Sequence, residues 1–162
     1  GISLSEFMRL ALVEANLAIR AGAYPYPGVG VIIVFENRPV VRAHNGVPGT
    51  DHADVKAIKE ALTKNIPLNE CALYSNLEPC SNMTGLVHAC TKEIIQAKIP
   101  EVHISIKDPY HLVRGQGIKE LEAAGINLVL GELEDETRWL LAKYLRRFCS
   151  HCGWPQESDL SQ

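Results

Sequence analysis

The chain has 162 residues, 46% of them hydrophobic, and a formal net charge of −3. That is the size of one domain with a sizeable core and the composition of an ordinary globular protein. The acidic balance argues against a protein wrapped in nucleic acid, no apolar run reaches the length of a membrane span, and an odd count of five cysteines argues against a disulfide framework and for a reducing, cytoplasmic setting.

The first predicted element spans SLSEFMRLALVEANLAIRAG, residues 3–22. Ser3 and Glu6 form a capping box, Phe7, Leu10, Val13 and Leu17 mark its inner face, and Gly22 closes it. Val29 to Phe35 reads as a buried strand, followed by a turn at Glu36-Asn37-Arg38 and a second strand from Val40 to Ala43. The gap is too short for a crossover, so the two form a hairpin. A second helix is predicted near His52 to Thr63, with Val55, Ile58 and Leu62 facing inward, and a third strand over Ala72 to Leu77. A third helix runs from about Val87 to Lys98, with Cys90, Ile94 and Ala97 roughly aligned, and Pro100 stops it. Strands at Glu101 to Ile106 and Ile126 to Leu130 flank a helix near Gln116 to Ala124, which Gly125 closes. A strand–helix–strand unit of that length implies parallel neighbours. Leu141, Tyr144, Leu145 and Phe148 mark a last helix. The order α-β-β-α-β-α-β-α-β-α predicts a three-layer α-β-α fold around a mixed sheet, one domain over 1–150 with a polar tail over 151–162.

Three residues stand out as a metal set: His52 at a helix start, Cys80 after a strand and Cys90 on the next helix. Singly, each reads as a buried thiol or a capping histidine. Together, one imidazole and two thiolates are the donors of a catalytic zinc that keeps a fourth position for water. His-x-acid at a helix start, then Pro-Cys and a further Cys, is the zinc deaminase pattern, in which the acid is not a ligand. The cysteines are spaced more loosely than in the short form of that signature, with nine residues between Cys80 and Cys90.

The sequence around this set restores the match. PYPGVGVIIV, HADVKAIKEA, ALYSNLEPCS, HACTKEIIQAKIPEVHISIKDPY and GQGIKELEAAGINLVLGELEDE occur in that order. They resemble the pyrimidine deaminase half of the riboflavin-biosynthesis deaminase–reductases, within the cytidine deaminase-like superfamily. The resemblance implies a five-stranded mixed sheet with strands four and five parallel, and a homo-oligomeric assembly. It also implies zinc on His52, Cys80 and Cys90, and hydrolytic deamination of a small aminopyrimidine or related aminated heterocycle. In that chemistry a zinc-activated water attacks the ring carbon bearing the amine, and a neighbouring acid shuttles the protons.

This chain departs from the family at three places. Asp54 stands where the family has glutamate, Tyr26 where an asparagine helps hold substrate, and MTGLVHAC replaces a run one residue shorter before the last ligand. Aspartate is shorter by one C–C bond, about 1.5 Å. Three readings follow: a pocket shifted to meet the shorter acid, a slow or inactive protein that keeps zinc for structure, or an introduced change that traps a bound state. The matching functions are a zinc-dependent deaminase with Asp54 as its catalytic acid, or a zinc-binding pseudo-deaminase acting as an interaction or regulatory module. A polynucleotide deaminase is disfavoured by the lack of a basic or aromatic stripe.

Tyr26, His44, Asn45 and Asn76 are the candidate substrate-binding residues. Each has a plainer role beside it: packing on Pro25 and Pro27 for Tyr26, turn formation for His44 and Asn45, strand packing for Asn76. Arg114 with Lys107 offers a grip for a phosphorylated substrate. The CxxC spacing at Cys149 and Cys152 offers a second metal site or a redox pair, but with no partner pair elsewhere it reads first as chance at a helix end.

Overall fold

A computed structural model of the chain describes residues 5–81, 89–110 and 114–146. Among the described residues six helices and five strands follow one another: α1 (Ser5–Arg20), β1 (Gly30–Phe35), β2 (Arg38–His44), α2 (Ala53–Thr63), β3 (Cys71–Leu77), α3 (Cys90–Gln96), β4 (Glu101–Ile106), α4 (Gln116–Ala123), β5 (Asn127–Leu130), α5 (Glu134–Leu140) and α6 (Ala142–Leu145). One turn of 3-10 helix, Leu68–Glu70, leads into β3. Where one last helix is expected, α5 and α6 are two short helices broken at Leu141, whose φ of −92° and ψ of 12° leave the α region. Ser3 of the capping box, Phe148, the CxxC cysteines and the 151–162 tail lie outside the described residues.

The strands form one sheet in the order β2-β1-β3-β4-β5. β1 pairs antiparallel with β2 and β3, while β3–β4 and β4–β5 are parallel, so strands four and five run together as expected. The hairpin turn is two residues long: Glu36 and Asn37 carry φ of 50° and 62°, and Phe35 pairs with Arg38. Positive φ at both central positions matches the right-handed twist of the strands, and Asn tolerates it. Arg38 is therefore already in the strand.

Alternation along β1 decides the layers. Val31 and Ile33 point into a core with Leu73, Val102 and Ile104, packed by Ala57 and Ile58 of α2, Ile94 of α3, and Ile118 and Leu121 of α4. Ile32 and Val34 face the other way, against Phe7, Met8 and Ala11 of α1 and Tyr74 of β3. Leu141 and Leu145, around the α5–α6 break, close over Leu77 and Ile106.

Both long helices turn a different face inward than their large apolar residues suggest. α1 buries Phe7, Met8, Ala11, Ala15 and Ala18, and leaves Val13 and Leu17 exposed. α2 buries Ala53, Asp54, Ala57, Ile58 and Ala61, and leaves Leu62 exposed. For α1 the cause lies in β1: a Cβ on Gly30 would sit 1.9 Å from the carbonyl oxygen of Ala11. Helix and strand backbones meet there, and only alanine on one side and glycine on the other permit it. The same rotation of α2 brings Asp54 inside.

Candidate active site

The metal set converges where two helix N-termini meet the end of β3. His52 is the N-cap of α2, with extended backbone at φ −64° and ψ 154°, and its side chain makes no capping hydrogen bond. The ring is left to face the cysteines. Cys80 follows β3 by three residues, and Cys90 opens α3. The N–H of Thr91 donates to the Cys80 carbonyl at 3.1 Å, and the N–H of Cys90 donates to Cys80 Sγ at 3.2 Å. These two bonds tie the loop after β3 to the first turn of α3.

His52 Nδ1 lies 3.2 Å from Cys90 Sγ and 3.6 Å from Cys80 Sγ, and the three donor atoms all lie within 4.8 Å of one another. A tetrahedral zinc with ordinary bond lengths sets nitrogen and sulfur donors about 3.5 Å apart. The donor set fits zinc in both chemistry and spacing. Cys80 is pulled down to about 4, chiefly by the hydrogen bond from the Cys90 thiol and then by His52, against the opposing effect of burial. Cys90 is pushed up by its bond to Cys80 and by burial. His52 is raised, first by its hydrogen bond to Cys80. Of the two thiols Cys80 is the more acidic, and Cys90 the one that holds its proton more tightly.

Asp54 sits in the first turn of α2, 4% exposed, and its Oδ1 is buried without a hydrogen-bond partner. Burial raises its pKa to about 6, the Cys80 thiolate adds to the rise, and the Cys90 thiol and His52 oppose it. A carboxyl that takes and gives a proton near neutral pH is what acid–base chemistry needs. Asp54 and the three metal-ligand side chains border one cavity of about 400 Å³. That volume suits a small ring compound.

The four candidate substrate residues separate in the structure. Tyr26 and Asn45 line the cavity. Asn45 also braces its mouth: Oδ1 accepts from the N–H of Val29 at 2.8 Å, and Nδ2 donates to the Pro27 carbonyl at 2.9 Å. Asn76 is not among the lining residues; it is fully buried, accepts from the N–H of Gly30 at 2.8 Å and donates to the Gly28 carbonyl at 3.2 Å. His44 also lies off the lining, its Nδ1 2.6 Å from Glu14 of α1. Arg114 turns its guanidinium onto the carbonyls of Asp108 and Pro109, at 3.0 and 2.7 Å, and like Lys107 is not a lining residue. Three ionisable residues to which the sequence assigned no site role do border the cavity: Glu78, Asp108 and Tyr144. Glu78 and Asp108 stand in the quoted EPC and DPY runs, so their motifs were visible. Tyr144 carried only a helical spacing.

Residues 2–106 match the family model described as the cytidine and deoxycytidylate deaminase zinc-binding region. The riboflavin biosynthesis protein RibD of Chlamydia pneumoniae is 34% identical over 148 residues, 91% of this chain and 38% of that protein. RibD of Acinetobacter baumannii superposes with a TM-score of 0.82 at 26% identity, over 90% of this chain and 40% of that one. A diaminohydroxyphosphoribosylaminopyrimidine deaminase/5-amino-6-(5-phosphoribosylamino)uracil reductase from Thermotoga maritima superposes at 0.81 with 28% identity, over 89% and 40%. The chain therefore spans about two fifths of these relatives' length. Its model match covers more than half its residues and takes in His52, Cys80 and Cys90, and the chain belongs to the cytidine and deoxycytidylate deaminase zinc-binding family.

Proposed function

We propose that the protein is a zinc-dependent hydrolytic deaminase of a small aminopyrimidine or related aminated heterocycle. The observation that carries this reading is Asp54: a buried carboxyl with an unpartnered oxygen, in the same cavity as three side chains spaced for zinc. When bound there, zinc supplies a water acidic enough to be used near neutral pH. Asp54 receives the proton from that water, delivers it to the ring nitrogen next to the amine-bearing carbon, and assists departure of ammonia. Its pKa near 6 suits both directions of transfer. Tyr26 offers a face for a planar ring at the mouth, and Asn45 holds the loop that carries that mouth.

The likeness to RibD proteins favours a pyrimidine as the ring. The test is ammonia release from zinc-loaded protein presented with cytosine, cytidine, deoxycytidylate and a ribosylaminopyrimidine phosphate. At least one compound is expected to release ammonia, and Asp54→Asn to lower the rate by about 10²–10⁴-fold with zinc retained. Full zinc occupancy with no ammonia from any of them would favour the pseudo-deaminase instead.

A further inference from the structure

Glu78 has no part in the proton path, yet it is one of the few buried charges, at 4% exposure. A buried carboxylate persists only where its oxygens are satisfied. Here Oε1 accepts from the N–H groups of Asp108 at 2.9 Å and Gly115 at 3.0 Å, while Oε2 accepts from Gly117 at 3.0 Å and Ile118 at 3.4 Å. All four donors are backbone groups, from the turn after β4 and the first turn of α4. Unpaired N–H groups at a helix start carry positive partial charge, so the site selects a carboxylate over an amide.

The GQG run explains how that backbone gets so close. Gly115 is left-handed, with φ of 83°. A Cβ on Gly117 would lie 2.3 Å from the Pro79 carbonyl oxygen and 3.2 Å from Glu78 Oε2. The two glycines serve one contact: they form a cradle for the Glu78 carboxylate. Glu78 also lies two residues from Cys80 in the chain, and its own N–H donates to the Ile106 carbonyl at 2.9 Å. It stands between the metal ligand Cys80 and the wall residue Asp108, and all three border the cavity.

We propose that Glu78 is a positioning residue that locks Asp108 and the Gly115–Ile118 turn onto the metal loop, fixing this wall relative to Cys80. The consequence for turnover rests on the deaminase reading; the lock itself does not. Glu78→Gln keeps the size but turns one acceptor into a donor facing N–H groups. Gly117→Ala drives a methyl against the Pro79 carbonyl and crowds Glu78 Oε2, so it pushes the α4 turn off the metal loop.

In the zinc-loaded chain, hydrogen exchange at Gly115, Gly117 and Ile118 is expected to rise about tenfold or more in each variant, while Ile32 and Ile33 in β1 keep their protection. The double variant should exchange within about twofold of the worse single one, because both open the same junction between the metal loop and the α4 turn. In the cobalt-loaded protein, Glu78→Gln should also shift the sulfur-to-metal absorption band, which a purely structural carboxylate would leave unmoved. Unchanged exchange at the three amides, multiplied effects in the double variant, or an unmoved cobalt band would each overturn the proposal. If Glu78→Gln loses protection in β1 as well, Glu78→Asp decides: selective opening at 115–118 supports the lock, and uniform opening refutes it. None of these measurements needs turnover. A protein that releases no ammonia would sink the deaminase reading and leave the lock standing, and normal turnover with an unmoved exchange pattern would do the reverse.

Discussion

Asp54 concentrates the tension between stability and chemistry in one side chain. Its carboxyl titrates at about 6 in the fold against a usual 3.8. Well below pH 3.8 both the folded and unfolded states hold the proton, and nothing is lost. Between pH 4 and 6 the unfolded chain releases its proton first, the folded state binds more protons, and stability falls as pH rises. Integrated over the window, the metal-free protein forgoes about 3 kcal/mol at pH 7. Asp54→Asn should therefore flatten the pH dependence of urea unfolding in chelator between pH 4 and 7, and make the metal-free protein more stable at pH 7. A bound dication nearby favours the ionised form and offsets this cost. The length of the acid gives a second prediction. Asp54 is 4% exposed and borders the cavity, so an added methylene moves the carboxyl relative to the three side chains spaced for zinc. Glu in its place is expected to lower turnover by about tenfold or more, since misplacement of about 1 Å costs on that scale. The His-x-Asp pattern showed that an acid belonged there. It did not show that the acid is buried, because that depends on how α2 is rotated.

At the scale of the element, that rotation is where sequence and structure part. The spacing of Phe7, Leu10, Val13 and Leu17 picks out the largest apolar residues of α1, while the helix packs through Met8, Ala11, Ala15 and Ala18. Alanine adds little to an apolar count, but it allows backbones to approach. The matching signal stood in another element, at Gly28 and Gly30, where an added Cβ would strike the backbone of Ala15 or Ala11. Periodicity read within one helix has no access to a partner strand. The strands fared better: Val31 to Val34 are buried on both faces, and a run of β-branched residues carries that information by itself. Two substitutions test the packing. Leu17→Ala, at a position 42% exposed, should change the free energy of urea unfolding by less than about 0.5 kcal/mol, although a core leucine would cost about 2–5 kcal/mol. Gly30→Ala should cost about 3 kcal/mol or more, because its methyl would meet the Ala11 carbonyl.

For the whole molecule, the metal set brings three separate stretches of chain to one point. His52 comes from α2, Cys80 from the loop after β3 and Cys90 from α3, and their donor atoms lie within 4.8 Å of one another. An ion held there favours only the folded state, in which these stretches are together, so zinc should raise the melting temperature and chelator should lower it. At a free zinc concentration about a thousandfold above the dissociation constant, the gain is about 4 kcal/mol. The direction with pH follows from the two thiols. Cys80 is already ionised above about 4, so it contributes no proton release near neutrality. Cys90 is pushed up by burial and by its bond to Cys80, and must give up its proton to become a ligand. His52, whose pKa is raised, must also be neutral to bind, so zinc affinity measured by chelator competition should climb by at least about tenfold per pH unit between pH 6 and 8, the slope of one or more protons released. Cys90→Ser should abolish stoichiometric binding, since a hydroxyl does not ionise in this range. An affinity flat with pH would mean that zinc is held by two donors, and that the inner cysteine belongs to the core of α3 alone.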